Sequence, residues 1–169
     1  LFEKGWRSNL LASDKVAVTL EEELELVKDF VALRKETNPD TPRVEWRVDE
    51  SVDESVMVPS MCIQIPVENA LKYAFDGMEE PGEIVVSIND SGKGVLVSIR
   101  DNGVGYNPGA YNNSERGTGN GLKMLFRTVE MLNARNTEKM RFDISNLSAT
   151  GESGTLVTIY VPYRYQFNL

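Results

Sequence analysis

Apolar residues recur at helical spacing in three segments, 18–37, 59–76 and 122–133, and each segment predicts a helix. The first opens with Thr19 and Glu22 in capping-box spacing, which is typical of a helix N-terminus. The second contains Pro66, so we expect a kink in that helix near Cys62.

Five other segments alternate apolar and polar residues or are rich in β-branched residues, and they predict strands: 43–49, 83–89, 94–101, 139–146 and 155–162. The second and third flank the sequence DSGK and predict a hairpin. The order α-β-α-β-β-α-β-β therefore predicts an α/β fold of the α+β kind, a two-layer sandwich with a mixed, largely antiparallel sheet and helices on one face.

Length and charge narrow the class of protein. The 169 residues suit one domain, and a net charge of -8 argues against a nucleic-acid partner. Cys62 is the only cysteine, so no intrachain disulfide forms and we expect a reducing compartment. No stretch reaches the ~20 apolar residues of a membrane span. The absence of histidine excludes histidine-based acid catalysis, metal ligation and a Ser-His-Asp triad within the chain.

Three polar residues of different chemistry fall on one side of the second predicted helix. Glu68, Asn69 and Lys72 share a face at a repeat of ~3.6 residues. A simpler interpretation is a solvated helix face with a Glu68–Lys72 ion pair four positions apart.

The sequence DNGVG at the end of a predicted strand indicates a ligand pocket. Asp101 has the parity of the apolar residues Val95, Val97 and Ile99, which places a carboxylate on the buried face of the strand. Such a carboxylate needs a donor, and the amine of adenine would serve, with the glycines allowing the backbone to approach a flat ring.

The sequence GTGNGL, at 117–122, leads directly into the third predicted helix. Its glycines free backbone N–H groups for phosphate oxygens at a helix N-terminus, although a flexible loop is an equally simple interpretation. No Gly-Lys-Ser/Thr follows and no strand precedes it directly, so it is neither a P-loop nor a Rossmann turn.

In this order the motifs resemble those of the GHKL superfamily of ATPases. VENALKYA resembles the N box, DNGVGY the first glycine box, GTGNGL the second, and SGTLVTI the closing strand. VTLEEELELVKDFVALRKE and PSMCIQIPVENALKYAF are most similar to LytS-like sensor histidine kinases. The resemblance covers residues 18–162 and implies a Bergerat-type ATP-binding fold with ATP and Mg²⁺ as cofactors.

The resemblance implies a role for each residue of the N box. Asn69 would ligate Mg²⁺, Glu68 would orient or deprotonate the attacking group or a water on Mg²⁺, and Lys72 would neutralise phosphate charge. Tyr73 stands where the family usually has histidine.

The resemblance also implies the nucleotide contacts. Asp101 would accept from adenine, and Thr158 would add a water-mediated contact. Residues 106–116 would form a lid over the nucleotide. The pocket and the phosphate site would be completed by Gly103, Gly105, Gly117, Thr118, Gly119, Gly121 and Leu122.

We therefore expect residues 18–169 to be the ATP-binding catalytic domain of a two-component sensor histidine kinase, with 1–17 a connector from an upstream helical segment. The phosphoacceptor histidine would lie in that segment of the parent protein, and a response regulator would act downstream. We also expect a cytoplasmic domain of a membrane-anchored parent and a homodimer in the full-length protein. The alternatives are an anti-sigma-factor-type serine kinase, a non-catalytic nucleotide-sensing module, and a domain for an unrelated small ligand.

Overall fold

The computed structural model describes residues 15–105 and 120–168. The elements in chain order are β1 (Ala17–Thr19), α1 (Leu20–Thr37), β2 (Arg43–Val48), β3 (Met57–Pro59), α2 (Gln64–Asn69) continuing as a π-helix (Ala70–Ala74), β4 (Glu83–Asp90), β5 (Gly94–Asp101), α3 (Asn120–Asn133), β6 (Arg141–Asn146), a 3₁₀ turn (Leu147–Thr150) and β7 (Thr155–Pro162).

Within the described residues, five strands form one sheet in the order β2-β4-β5-β7-β6. The β2–β4 pair is parallel and the other three pairs are antiparallel. The predicted hairpin is β4–β5, in which Ile84 lies opposite Asp101. A separate antiparallel pair joins β1 to β3.

The core lies between this sheet and the helices. Alternate residues of each central strand are buried, as Val86, Val97 and Ile159 show, and they pack with buried residues of the helices. The residues of opposite parity, such as Ser98, remain partly exposed on the other face. Alternation places apolar side chains on one face, so helices cover that face and the other stays open. The predicted fold class is confirmed.

The first helix begins two residues later than its periodicity predicts. Thr19 caps it as expected, because the Glu22 backbone N–H donates to Thr19 Oγ1 over 3.1 Å. Val18, however, belongs to β1 and pairs with Val58. Residues 1–14 lie outside the described residues, so the predicted connector, 1–17, stays a prediction.

The prediction of a single kinked helix over 59–76 is wrong at its start. Pro59 ends β3, and Met61 adopts a φ of 69°, which a helix does not permit. The helix starts at Gln64, so Pro66 lies in its first turn, where a missing N–H is tolerated and no kink is needed.

No helix in the part of the chain that the structure describes is long and apolar enough to cross a membrane.

Candidate functional site

The residues of the predicted N box lie where α2 changes its winding. Asn69 is the last residue of α2, and the next five residues form the π-helix. π-Helical turns are rare in proteins, and those that do occur are often found at functional sites. The ion pair of Glu68 and Lys72 joins Oε1 to Nζ at 2.6 Å, with 22% and 12% of the side chains exposed. The pair forms, but it is too buried to be a solvated helix face.

Asp101 lies at the end of β5 on the buried face, as its parity predicts, and is 6% exposed. Its Oδ1 accepts the backbone N–H of Gly103 at 2.9 Å and that of Thr155 at 3.2 Å. Among the described residues both bonds use Oδ1, which leaves Oδ2 for a ligand. Burial raises the pKa of Asp101, and the two backbone bonds oppose that rise.

Gly103 is required where the loop after β5 meets the end of the π-helix. A Cβ at this position would lie 2.1 Å from the carbonyl oxygen of Ala74. That same carbonyl accepts the backbone N–H of Val104 over 2.8 Å. Glycine therefore lets the backbone that follows Asp101 pack directly on the helix that carries Asn69.

Gly154 makes an even closer approach on the other side of Asp101. Its φ is +119°, and a Cβ would lie 1.9 Å from the Asp101 carbonyl oxygen. Ser153, just before it, donates its hydroxyl to the carbonyl of Gly103. The segments around Asp101 and Gly154 thus form one interlocked unit that fixes the carboxylate.

Asn69 and Asp101 line a single pocket, although they come from different elements. Its wall is otherwise mostly apolar, and its residues are Pro66, Asn69, Ala70, Ile99, Asp101, Leu122, Ile144, Thr155 and Val157. The Nδ2 atom of Asn69 is buried and has no hydrogen-bond partner within residues 15–105 and 120–168. A mostly apolar wall with a few convergent polar groups is typical of a small-molecule or cofactor site.

Thr158 does not contribute to this pocket, so its predicted contact is wrong. It pairs with Ser98 and lies on the open face of the sheet, whereas Thr155 and Val157 have the parity of the buried face. Thr155 is therefore the residue of β7 at the pocket. Strand parity, read along TLVTIYVP, was the signal that distinguishes the two threonines.

The predicted phosphate loop is only partly within the described residues. Gly117, Thr118, Gly119 and the predicted lid, 106–116, lie outside them. Gly121 is the second residue of α3, and a Cβ there would lie 3.1 Å from Cγ2 of Ile65 on α2. Leu122 lines the pocket. Gly105 follows Asp101 in the loop after β5 and has a φ of +94°.

The donor set favours a nucleotide over a metal ion held by the protein alone. No group of three or more acidic, cysteine or histidine side chains among the described residues is placed to hold a metal. A single amide oxygen from Asn69 would suit Mg²⁺ only if phosphates and waters supplied the other ligands, which is the usual arrangement for Mg²⁺ on a nucleotide.

The fold and the pocket define an ATPase domain of a known family. Residues 60–165 match the model of the family described as histidine kinase-, DNA gyrase B-, and HSP90-like ATPase. The match covers more than half of the chain, so the chain belongs to this family. The predicted GHKL membership is confirmed, and ATP is the nucleotide that the family name supports.

Among individual proteins, the chain is similar to staphylococcal LytS proteins. It is 31% identical over 165 residues to the sensor protein LytS of Staphylococcus saprophyticus, covering 94% of this chain and 27% of that protein. It is 29% identical over 169 residues to the sensor histidine kinase/phosphatase LytS of Staphylococcus aureus, covering 95% and 28%. The chain therefore spans about a quarter of the length of the curated relatives it matches.

Solved structures of histidine kinases have the same fold. The mycobacterial sensor histidine kinase MprB superposes with a TM-score of 0.60 at 18% identity, covering 89% of this chain and 99% of that chain. Full-length ShkA in complex with AMPPNP has a TM-score of 0.59 at 18% identity, covering 88% and 31%. At such low identity these likenesses establish the fold alone.

Proposed function

We propose that this chain is the ATP-binding catalytic domain of a two-component sensor histidine kinase. One observation carries the proposal: the helix residue Asn69 and the strand-end residue Asp101 line the same apolar pocket. The relatives named above as sensor histidine kinases support it, because they match nearly the whole chain.

The proposed adenine site is centred on Asp101. Its free Oδ2 accepts the exocyclic amine of adenine, while Ile99, Ile144 and Val157 supply apolar surface for the ring. Because Oδ1 is held by two backbone N–H groups, the carboxylate is oriented before the ligand arrives. Preorganised donors and acceptors bind without a reorganisation cost.

The proposed phosphate site lies along α2. Asn69 would hold Mg²⁺ through its side-chain oxygen, and the ion would neutralise phosphate charge there. Lys72 lies 2.6 Å from Glu68, so an incoming phosphate competes with that carboxylate for the ammonium group. As the nucleotide binds, Glu68 is released toward the attacking group.

The proposed reaction is in-line phosphoryl transfer to a histidine outside this chain, which itself contains none. The imidazole nitrogen of the acceptor attacks the γ-phosphorus, and a P–N bond forms. The bond to the β,γ-bridging oxygen breaks and ADP leaves. Glu68 accepts the proton that the imidazole loses.

The experiment supplies this chain with labelled Mg·ATP, alone and together with the phosphoacceptor segment of its parent protein. The expected result is base-stable, acid-labile label on the acceptor histidine and none on this chain. Wild-type protein that binds ATP but labels no histidine, even when both parts are joined, would contradict the kinase and favour the nucleotide-sensing module. The response regulator, the membrane anchor and the homodimer are parts of the same proposal.

A further inference from the structure

Glu23 is a buried carboxylate on α1, outside the site proposed above. It lies among the apolar residues that face the core and is 1% exposed. Its Oε1 accepts the backbone N–H groups of Ile63 and Gln64, each over 3.1 Å, and its Oε2 accepts that of Met61 over 3.2 Å. One side chain of α1 therefore accepts three backbone N–H groups from the turn, 61–64, that leads into α2.

These bonds replace a cap that α2 lacks. Its N-cap residue, Ile63, makes no side-chain capping bond within the described residues, and Pro66 in the first turn has no N–H. Met61, whose N–H also bonds to Glu23, has a φ of 69°, which is unusual for a non-glycine residue. The negative charge of Glu23 suits the positive end of a helix.

An apolar side chain at position 23 would avoid the cost of burying a charge. Burial raises the pKa of Glu23, and the bonds from Gln64, Ile63 and Met61 oppose that rise. An apolar residue there would, however, leave the three backbone N–H groups that donate to Glu23 without their acceptor, so the buried carboxylate meets a positional requirement. That requirement is the placement of the strained turn and of the first residue of α2.

The start of α2 is close to the proposed phosphate site. Gln64 and Asn69 are five residues apart, which is about 7.5 Å along a helix axis. A shift at Gln64 is therefore carried to Glu68 and Asn69. The carboxylate of Asp101, in contrast, accepts backbone N–H groups of Gly103 and Thr155, which belong to the loop after β5 and to β7 and not to α2.

We propose that Glu23 is a positioning residue that sets the place of Asn69 and Glu68 by anchoring the start of α2 to α1. It thereby makes the metal and phosphate half of the site depend on the position of α1 more strongly than the adenine half does. The inference rests on the proposed function, because it takes Asn69 as the Mg²⁺ ligand.

The test measures ATP binding by calorimetry with and without Mg²⁺ on the full chain, below the unfolding midpoint of every variant. The variants are Glu23→Ala, Glu23→Gln and Asn69→Ala, with Glu25→Gln as control, because Glu25 is exposed on the same helix. Glu23→Gln keeps the volume and one carbonyl oxygen, so it decides the question where Glu23→Ala does not fold.

Glu23→Ala should reduce the Mg²⁺-dependent gain in ATP affinity by roughly 10–100-fold, as loss of a group supporting a metal ligand does. Glu23→Gln should lose less, Glu25→Gln nothing, and metal-free ATP binding should persist in all. An equal loss with and without Mg²⁺, or none at all, overturns the inference. If Asn69→Ala reduces the gain and Glu23→Ala does not, the inference fails while the proposed function stands. If Asn69→Ala has no effect, the proposed function fails as well.

Discussion

The backbone N–H of Thr155 donates to Oδ1 of Asp101 over 3.2 Å, which ties the carboxylate at the end of β5 to the first residue of β7. Gly103 donates to the same oxygen from the other side. Both donors belong to the main chain, so the orientation of Asp101 is set by the path of the backbone. The carboxylate is ready for a ligand before any ligand binds.

Asp101→Asn should weaken binding of ATP and ADP alike by about 10–100-fold, the usual worth of a hydrogen bond to a charged group. Asparagine keeps the shape and the Oδ1 acceptor but turns an N–H group toward the adenine amine, so donor faces donor. Isothermal titration measures the change. The control is Asp143→Asn, because Asp143 is exposed and pairs with Thr158 on the open face. Unchanged affinity in Asp101→Asn would remove the adenine assignment.

Adenosine binding should depend on pH through Asp101. Burial raises the pKa of this carboxyl in the folded protein. The acceptor is therefore present above the raised pKa and is lost as the pH falls through it, before an exposed aspartate would protonate. Fluorescence or calorimetric titration with adenosine, which has no phosphate to ionise, measures the effect. An affinity that stays constant until the ordinary aspartate range is reached contradicts this prediction.

Asn69→Ala should lower ATP affinity in the presence of Mg²⁺ by roughly 10-fold or more and change metal-free binding much less, since only the metal contact is removed. Calorimetry in Mg²⁺ and in EDTA separates the two contributions. Asn89→Ala is the matched control, because Asn89 is exposed on β4. Equal losses in both buffers would argue against Asn69 as a ligand.

Gly154→Ala should be far more destabilising than Gly151→Ala. Both glycines have positive φ, +119° and +79°, but only at Gly154 would a Cβ clash, 1.9 Å from the Asp101 carbonyl oxygen. Gly151→Ala should cost about 1–2 kcal/mol from its conformation alone. Gly154→Ala should cost more than about 3 kcal/mol and weaken ATP binding, because the backbone of Asp101 must move. Urea denaturation measures both, and equal costs would mean that the close approach is unimportant.

Local patterns in the sequence were enough to predict the elements that depend on neighbouring residues. The β4–β5 hairpin follows from alternation around a turn, and the burial of Asp101 follows from the parity of its strand. The cap at Thr19 follows from its spacing to Glu22. Each of these features is determined within a few residues, so no knowledge of distant segments was needed.

Features that depend on distant segments were missed. Val18 was assigned to a helix because its pairing with Val58 in β3 is not visible in local periodicity. The sequence analysis gives Glu23 no role, although its position among the core-facing residues of α1 was a signal. Its partners lie some forty positions away at Met61, Ile63 and Gln64, and only the folded chain brings them together.

Glu68→Gln should slow phosphotransfer to the acceptor histidine by about 100-fold or more while leaving the affinity for Mg·ATP nearly unchanged. Glutamine keeps the size of the side chain but cannot accept the proton that the imidazole loses, and that loss matters mainly in the transition state. The substitution leaves the charge of Lys72 unchanged and removes the carboxylate that competes with the phosphates for it, so binding should not weaken.

Single-turnover transfer at saturating ATP gives the rate, and calorimetry gives the affinity of the same preparation. Glu79→Gln removes an exposed carboxylate a few residues beyond the π-helix and is the matched control. A Glu68→Gln protein that loses rate and affinity by the same factor would mean that Glu68 only supports Lys72 in binding. A rate equal to that of the wild type would mean that the imidazole loses its proton to water or to another group, and Glu68 would then have no part in the chemistry.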